Sequence, residues 1–156
     1  MKVVYIHHAN RKKSFPPSQD DDITFLGEQD AKLTASLLFE ANKKQKITKV
    51  YSSTFLRCSK TASLINEKLG LDIVFDERLN EHGSNAGESW LDTQTRLKEF
   101  IDEIVAKHDD SECVICVTSG INVAAFISKA YGLPPSQTAP MIGVPSCSPL
   151  IFEYKK

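Results

Sequence analysis

The chain has 156 residues, with 19 Lys and Arg against 20 Asp and Glu, so its formal net charge is −1. A chain of this length buries about 70% of its unfolded surface and needs no disulfide or metal to support a core. We therefore expect one domain over residues 1–156. The balanced charge, without a basic tract, argues against nucleic acid or an anionic membrane as a partner. The apolar run near the start, in MKVVYI, is too short for a signal-peptide core or a membrane span.

The first half of the chain predicts two strands, each followed by a helix. KVVYIH is a nearly continuous apolar run, which is typical of a strand covered on both faces. The next helix is expected to bury the face formed by Leu33, Leu37, Leu38 and Ala41. ITKVYSS predicts a second strand, after which Ser53 or Thr54 can cap a helix. The expected inner face of that helix consists of Cys58, Ala62, Ile65 and Leu69.

The second half repeats the alternation of strands and helices. DIVFD predicts a short strand, followed by the polar loop ERLNEHGSNAGES. The next helix has an apolar face of Leu97, Phe100, Ile101, Ile104 and Val105. CVICVTSG predicts a buried strand that leads at Gly120 into a helix with an inward face of Val123, Ala124, Ile127 and Tyr131. After a Pro-rich turn come two apolar runs, MIGV and PLIFEY. This alternation predicts a three-layer α/β/α sandwich around a mostly parallel sheet.

The four cysteines include a C-x-x-C pair, Cys113 and Cys116, within a predicted strand. Residues three apart on a strand point to opposite faces, so this pair does not predict a zinc site or a redox centre. We expect core thiols in a reducing compartment, and hence a cytoplasmic protein.

Polar residues follow three of the predicted strands, where an open α/β sheet binds its ligands. They are His7–His8, Ser52–Ser53 and Thr118–Ser119–Gly120. Arg57 lies in the first turn of the helix after the second strand, where a cation opposes the helix dipole and a bound anion would compensate it. The pattern predicts an anion pocket built from His8, Arg57 and the Ser119–Gly120 turn.

Six segments in chain order resemble the histidine phosphatase (phosphoglycerate mutase-like) superfamily. VVYIHHAN resembles the strand that ends in Arg-His-Gly, and ITFLGEQDA resembles the Leu-Thr-x-x-Gly-x-x-Gln-Ala segment. VYSSTFLRCSKTASLI resembles the Ser-Ser-x-x-x-Arg-x-x-x-Thr-Ala helix start, and RLNE resembles the segment with the acidic proton donor. GESWLDTQTRLKEFI and VICVTSGI resemble the later helix and strand. The resemblance covers nearly the whole chain and implies the phosphoglycerate mutase-like fold.

The resemblance also implies roles for individual residues. His8 is expected to be the nucleophile that forms a phosphohistidine, and Glu81 the proton donor to the leaving group. Arg57 is expected to bind the phosphoryl oxygens. No metal or cofactor is needed. Two positions depart from the family pattern: His7 replaces the Arg of Arg-His-Gly, and Ser119 replaces the second catalytic His. We still expect His7, Ser119 and Gly120 to contact phosphate.

We expect a weak or specialised phosphatase, acting on a phosphorylated small molecule or a phosphoprotein. The alternative is an inactive pseudophosphatase that binds such a molecule. A serine hydrolase is disfavoured because Val117 and Ile121 occupy the glycine positions of G-x-S-x-G. A metal site is disfavoured because His7, His8, Glu81 and His82 lack metal-ligand spacing. His82 and His108 are expected to be surface residues, and the sequence leaves the oligomeric state open.

Overall fold

The computed structural model describes residues 1–15 and 18–155 and contains a five-stranded sheet in the order β3-β2-β4-β1-β5. The strands are β1 (Lys2–His7), β2 (Lys46–Ser52), β3 (Ile73–Phe75), β4 (Glu112–Thr118) and β5 (Pro149–Glu153). The first four strands all run parallel, through the pairs β1–β4, β4–β2 and β2–β3, and β5 is antiparallel to β1. The prediction of a mostly parallel sheet is confirmed.

Helices cover both faces of the sheet. They are α1 (Phe25–Asn42), α2 (Leu56–Asn66), α3 (Trp90–Lys107), α4 (Gly120–Ala130) and the short α5 (Pro135–Thr138), with 3₁₀ turns at Glu77–Leu79 and Ala139–Met141. On one face, Leu38 of α1 and Ile65 of α2 pack with strand residues such as Val4 and Ile115. On the other, Phe100 of α3 and Val123 of α4 pack with residues such as Tyr5. This arrangement is the three-layer α/β/α sandwich that the sequence predicts.

The two cysteines of the C-x-x-C pair lie on opposite faces of the sheet, as expected. Cys113 belongs to the core under α1 and α2, and Cys116 to the core under α3 and α4. All four cysteines are free and buried. Burial raises the pKa of the Cys58 thiol to about 12, which keeps it protonated near neutral pH.

The predicted inner face of α1 is wrong for Leu33 and Leu37, which are exposed. The helix instead buries small residues together with Leu38: Gly27, Ala31, Thr34 and Ala35. The reason is a close approach to the segment after β1, where a Cβ at Gly27 would lie 2.7 Å from the carbonyl oxygen of Asn10. Only a face of small side chains allows this contact.

Two further local predictions are wrong. The N-cap of α2 is Phe55 and has no side-chain cap, because the hydroxyls of Ser53 and Thr54 bind the side chain of Asn80 instead. Tyr131 is exposed because α4 ends at Ala130, before the side chain could turn inward.

Candidate active site

His8 lies directly after β1 at the carboxyl end of the sheet and is buried. Its backbone N–H donates to the carbonyl oxygen of Thr118, the last residue of β4, at 3.0 Å. Its Nδ1 lies 2.8 Å from the carbonyl oxygen of Ala9, so Nδ1 carries the proton and Nε2 carries the lone pair of the ring. Burial, reinforced by the neighbouring His7, lowers the pKa of His8 to about 3. The ring is therefore neutral at physiological pH.

Arg57 extends from the first turn of α2 to the His8 ring and is also buried. Its Nε–H donates to Nε2 of His8 at 3.1 Å, and Nη1 donates to the carbonyl oxygen of Ser18 at 3.2 Å. Nη2 donates to Oε2 of Glu81 at 2.5 Å, which forms an ion pair. The guanidinium is thus held from three directions by groups of the protein itself.

Thr61 fixes the position of α2 relative to the end of β1. Its buried hydroxyl oxygen accepts a hydrogen bond from the backbone N–H of Ala9 at 3.0 Å. The hydroxyl donates to the carbonyl oxygen of Arg57 at 2.6 Å. One side chain therefore joins the residue after His8 to the helical turn that carries Arg57, which explains the Thr in the R-x-x-x-T-A pattern.

Glu81 lies on the loop after the Glu77–Leu79 turn, and its side chain is 38% exposed. Two asparagines that the sequence analysis missed hold the base of this loop. The Nδ2 group of Asn122 donates to the carbonyl oxygens of Leu79 (3.1 Å) and Asn80 (2.8 Å). Oδ1 of Asn80 accepts from the hydroxyl of Ser53 at 2.6 Å. A polar residue within the apolar face of α4 was the available signal for Asn122.

His7 lies beside His8, and the two rings meet edge to face with centroids 4.5 Å apart. Its Nδ1 lies 2.7 Å from the carbonyl oxygen of Val144, in the segment before β5. The ring packs so closely on Gly120 that a Cβ there would lie 2.9 Å from ring atoms. Burial lowers the pKa of His7, so this ring is also mainly neutral at physiological pH.

Ser119 and Gly120 form the start of α4 next to these rings. Ser119 is buried and is the N-cap, its hydroxyl oxygen accepting from the backbone N–H of Asn122 at 3.4 Å. In this contact the Ser119 hydroxyl acts as the acceptor, so its own proton can be donated to another group. The structure thus brings His7, His8, Arg57 and Glu81 into one group, with Ser119–Gly120 at its edge.

A cleft of about 230 Å³ opens beside Arg57 and Glu81. Its walls are formed by Ser18, Gln19, Phe55, Arg57, Glu81, His82, Gly83 and Ser84. His82 is therefore part of the cleft wall, with its side chain 23% exposed. The prediction of a surface position is wrong for His108, which is buried between the hydroxyl of Tyr51 and the carboxylate of Glu112.

Within residues 1–15 and 18–155, no group of three or more His, Cys, Asp or Glu side chains is arranged to hold a metal ion. Over the same part of the chain, every helix is too short or too polar to cross a bilayer.

The chain is similar to known proteins in sequence and in fold. The family model described as "Histidine phosphatase superfamily (branch 1)" matches residues 7–84 and 82–156. A curated relative from Hydrogenobacter thermophilus, named "Putative phosphoserine phosphatase 2", is 40% identical over 86 residues. The match covers 52% of this chain and 40% of that relative, so it spans less than half the relative's length.

Solved structures give the same answer for the fold. Mycobacterial glucosyl-3-phosphoglycerate phosphatase superposes with a TM-score of 0.76 at 21% identity, over 96% of this chain and 88% of that one. Alpha-ribazole phosphatase from Shigella flexneri superposes with a TM-score of 0.76 at 14% identity, over 100% of this chain and 92% of that one. With the family model matching almost the whole sequence, the chain belongs to the histidine phosphatase superfamily.

Proposed function

We propose that the protein is a phosphatase that hydrolyses phosphomonoesters through a phosphohistidine on Nε2 of His8. One observation carries this proposal. His8 is neutral, its Nδ1 proton is directed to a backbone carbonyl, and its Nε2 meets Arg57 next to the carboxylate of Glu81. The proposed nucleophile thus contacts the proposed phosphate-binding cation, which pairs with the proposed acid, and the cation and the acid line the cleft.

The reaction has two steps. In the first, the Nε2 lone pair attacks phosphorus, the ester P–O bond breaks, and Glu81 in its protonated form gives its proton to the leaving alkoxide. In the second, water attacks phosphorus, Glu81 takes a proton from that water, and the P–N bond breaks to release phosphate and neutral His8. The Ala9 carbonyl stabilises the positive charge that the ring acquires in the intermediate, because it accepts from Nδ1–H.

Arg57 must change partners before this reaction can begin. Its Nε–H occupies the lone pair that attacks, and its Nη2 is paired with Glu81. A phosphoryl group offers oxygen acceptors to both donors, so substrate binding exchanges protein contacts for contacts with the substrate. In this proposal, the exchange exposes Nε2 to phosphorus and releases Glu81 to serve as the acid.

His7, Ser119 and Gly120 complete the proposed phosphate site. Nδ1 of His7 is used by the Val144 carbonyl, so Nε2 can donate to phosphate only when the ring is protonated. Phosphate binding should therefore strengthen in mild acid. The hydroxyl of Ser119 and the start of α4 supply further groups that favour an anion.

The named substrate of the Hydrogenobacter relative, phosphoserine, is a first candidate for this chain. The small volume of the cleft favours a small phosphomonoester, or a phosphorylated side chain that a partner protein presents. The free, buried thiols support a cytoplasmic location.

A pseudophosphatase that binds such a group without turnover is the second candidate. It is favoured by the engagement of Arg57 with Glu81, Ser18 and His8 and by the link from His7 to Val144. With Arg57 and His7 engaged in this way, the site has fewer free hydrogen-bond donors for the transition state than a pocket with two arginines would have.

Turnover of O-phosphoserine and p-nitrophenyl phosphate tests the proposal. We expect release of phosphate by the wild type that falls to background in His8→Ala. His108→Gln is a matched control, because it replaces a buried histidine away from the cleft. A wild type without turnover, combined with strong turnover by His7→Arg/Ser119→His, would establish the binding protein instead.

A further inference from the structure

His82 follows the proposed acid Glu81 in sequence and lies in the wall of the same cleft. Its ring stacks on Trp90, with centroids 4.0 Å apart and planes 19° apart. Its Nδ1 lies 2.7 Å from the hydroxyl oxygen of Thr93. The ring is thus fixed by one face and by one nitrogen, although the proposed reaction does not use it.

The hydrogen bonds around Thr93 determine which nitrogen of His82 is available. The Thr93 hydroxyl donates to the carbonyl oxygen of Ser89 at 3.3 Å, so its oxygen accepts from Nδ1–H of His82. The neutral ring therefore carries its lone pair on Nε2. Within residues 1–15 and 18–155, no hydrogen-bond partner is found for this Nε2 atom.

The loop that carries His82 is held firmly on α3. The buried carboxylate of Glu88 accepts from the backbone N–H of Gly83 at 2.7 Å and from Nε of Arg96 at 2.6 Å. Arg96 also donates to the carbonyl oxygen of Glu81 at 3.4 Å. Although burial opposes it, the hydrogen bond from Arg96 lowers the pKa of Glu88 to about 2, so this clamp stays charged. These contacts hold this wall of the cleft in place before a ligand binds.

Ser84 supplies an independent observation in the same wall. Its hydroxyl oxygen is buried and has no hydrogen-bond partner in the part of the chain that the structure describes. A buried hydroxyl without a partner is costly, and Ser84 is one of the residues that line the cleft. Two unpartnered polar atoms, Nε2 of His82 and Oγ of Ser84, therefore belong to one wall.

We propose that His82 and Ser84 form a subsite for the leaving alcohol, and that they select a substituent that donates a hydrogen bond. The preferred substrates are small phosphomonoesters whose alcohol carries an ammonium or hydroxyl group, which donates to Nε2 of His82. The inference rests on the proposed function, because it places the phosphoryl group at Arg57 and the leaving alcohol beyond Glu81.

The test compares phosphoethanolamine, which carries an ammonium group, with ethyl phosphate, which does not. We expect the wild type to prefer phosphoethanolamine about three- to tenfold in kcat/KM and in dissociation constant, as one net hydrogen bond allows. His82→Asn keeps a donor at the Nδ1 position and should lose the preference. His82→Gln places a polar group at the Nε2 position and should retain part of it. Both variants lose the stack on Trp90, so the difference between their preferences for phosphoethanolamine measures the effect of a polar group at the Nε2 position.

The possible results separate this inference from the proposed function. Turnover of both esters with equal preference in wild type and His82→Asn would overturn the subsite and leave the phosphatase standing. No turnover, but calorimetric binding that prefers phosphoethanolamine and loses this preference in His82→Asn, would overturn the phosphatase and support the subsite. Ser84→Ala should reduce the preference for phosphoethanolamine in the same direction as His82→Asn, and an unchanged ratio would remove Ser84 from the subsite.

Discussion

In the proposed phosphatase, phosphate must displace Glu81 from Arg57, so neutralising Glu81 should strengthen phosphate binding. The Nη2–Oε2 contact is 2.5 Å, with the Arg57 side chain 3% exposed and the Glu81 side chain 38% exposed. Such a pair lies between exposed ion pairs, at about 0.2–1 kcal/mol, and buried pairs, which cost about 3–5 kcal/mol to break. Because water reaches Glu81, we take about 1 kcal/mol. This is roughly a fivefold gain in affinity.

Glu81→Gln keeps the shape of the side chain and removes its charge. We expect it to bind inorganic phosphate and vanadate about fivefold more tightly than the wild type, measured by calorimetry at pH 7. Its turnover should fall by about 10²–10⁴, because the amide cannot act as the acid. Glu77→Gln removes the same charge from an exposed position on the preceding turn and should change neither quantity. Phosphate binding that is weaker in Glu81→Gln, or equal to that of the wild type, would refute the competition between Glu81 and phosphate.

Three other predictions concern the stability of the residues around the site. Thr61→Val leaves the buried N–H of Ala9 without its acceptor and should lower the free energy of unfolding in urea by about 1–3 kcal/mol, whereas Thr61→Ser should not. Gly120→Ala should cost about 1–3 kcal/mol through its clash with the ring of His7, and His7→Ala in that background should restore thermal stability. Burial lowers the pKa of His8 in the folded state to about 3, from an ordinary value of 6.5. As the pH falls below 6.5, the unfolded chain binds a proton at His8 that the folded protein does not bind, so the free energy of unfolding decreases. The part due to His8 should lower the unfolding free energy by about 2 kcal/mol between pH 6.5 and 5, and His8→Gln should make the slope shallower, leaving the part due to His7.

The sequence predicts the fold well because its apolar runs alternate with helical periods throughout. The same pattern predicts that His8 and Arg57 lie near each other. Parallel strands place their carboxyl ends together, and these two residues follow the carboxyl ends of β1 and β2. The predicted anion pocket therefore has its two central residues in contact, at 3.1 Å. Local patterns were less reliable where two segments approach closely. In α1, the requirement for Gly27 to contact Asn10 outweighs the burial of Leu33.

Contacts between distant residues could not be predicted from the sequence. The acceptor for His7 is a carbonyl 137 positions away, and the Ser18 carbonyl that binds Arg57 lies in a loop without any pattern. Backbone carbonyls have no residue type, so the sequence gives no sign that they will accept from a particular side chain. The bond from Arg57 to the Ser18 carbonyl could not be predicted for this reason. The other two partners of Arg57 are side chains, those of His8 and Glu81, which the resemblance already implied as site residues.

The sequence resemblance implies that His7 stands where the family has an arginine, and such a replacement would change the charge of the resting site as well as its donors. Burial lowers the pKa of His7, so this ring adds little positive charge near neutral pH, and the ion pair of Arg57 and Glu81 carries no net charge of its own. A phosphate dianion then competes directly with a carboxylate for one cation. With an arginine at position 7, a second positive charge would remain even while Glu81 holds Arg57. His7→Arg should therefore make phosphate affinity less sensitive to Glu81→Gln, and the double variant should gain less than the product of the two single gains. Gains that multiply would show that the two positions bind phosphate independently.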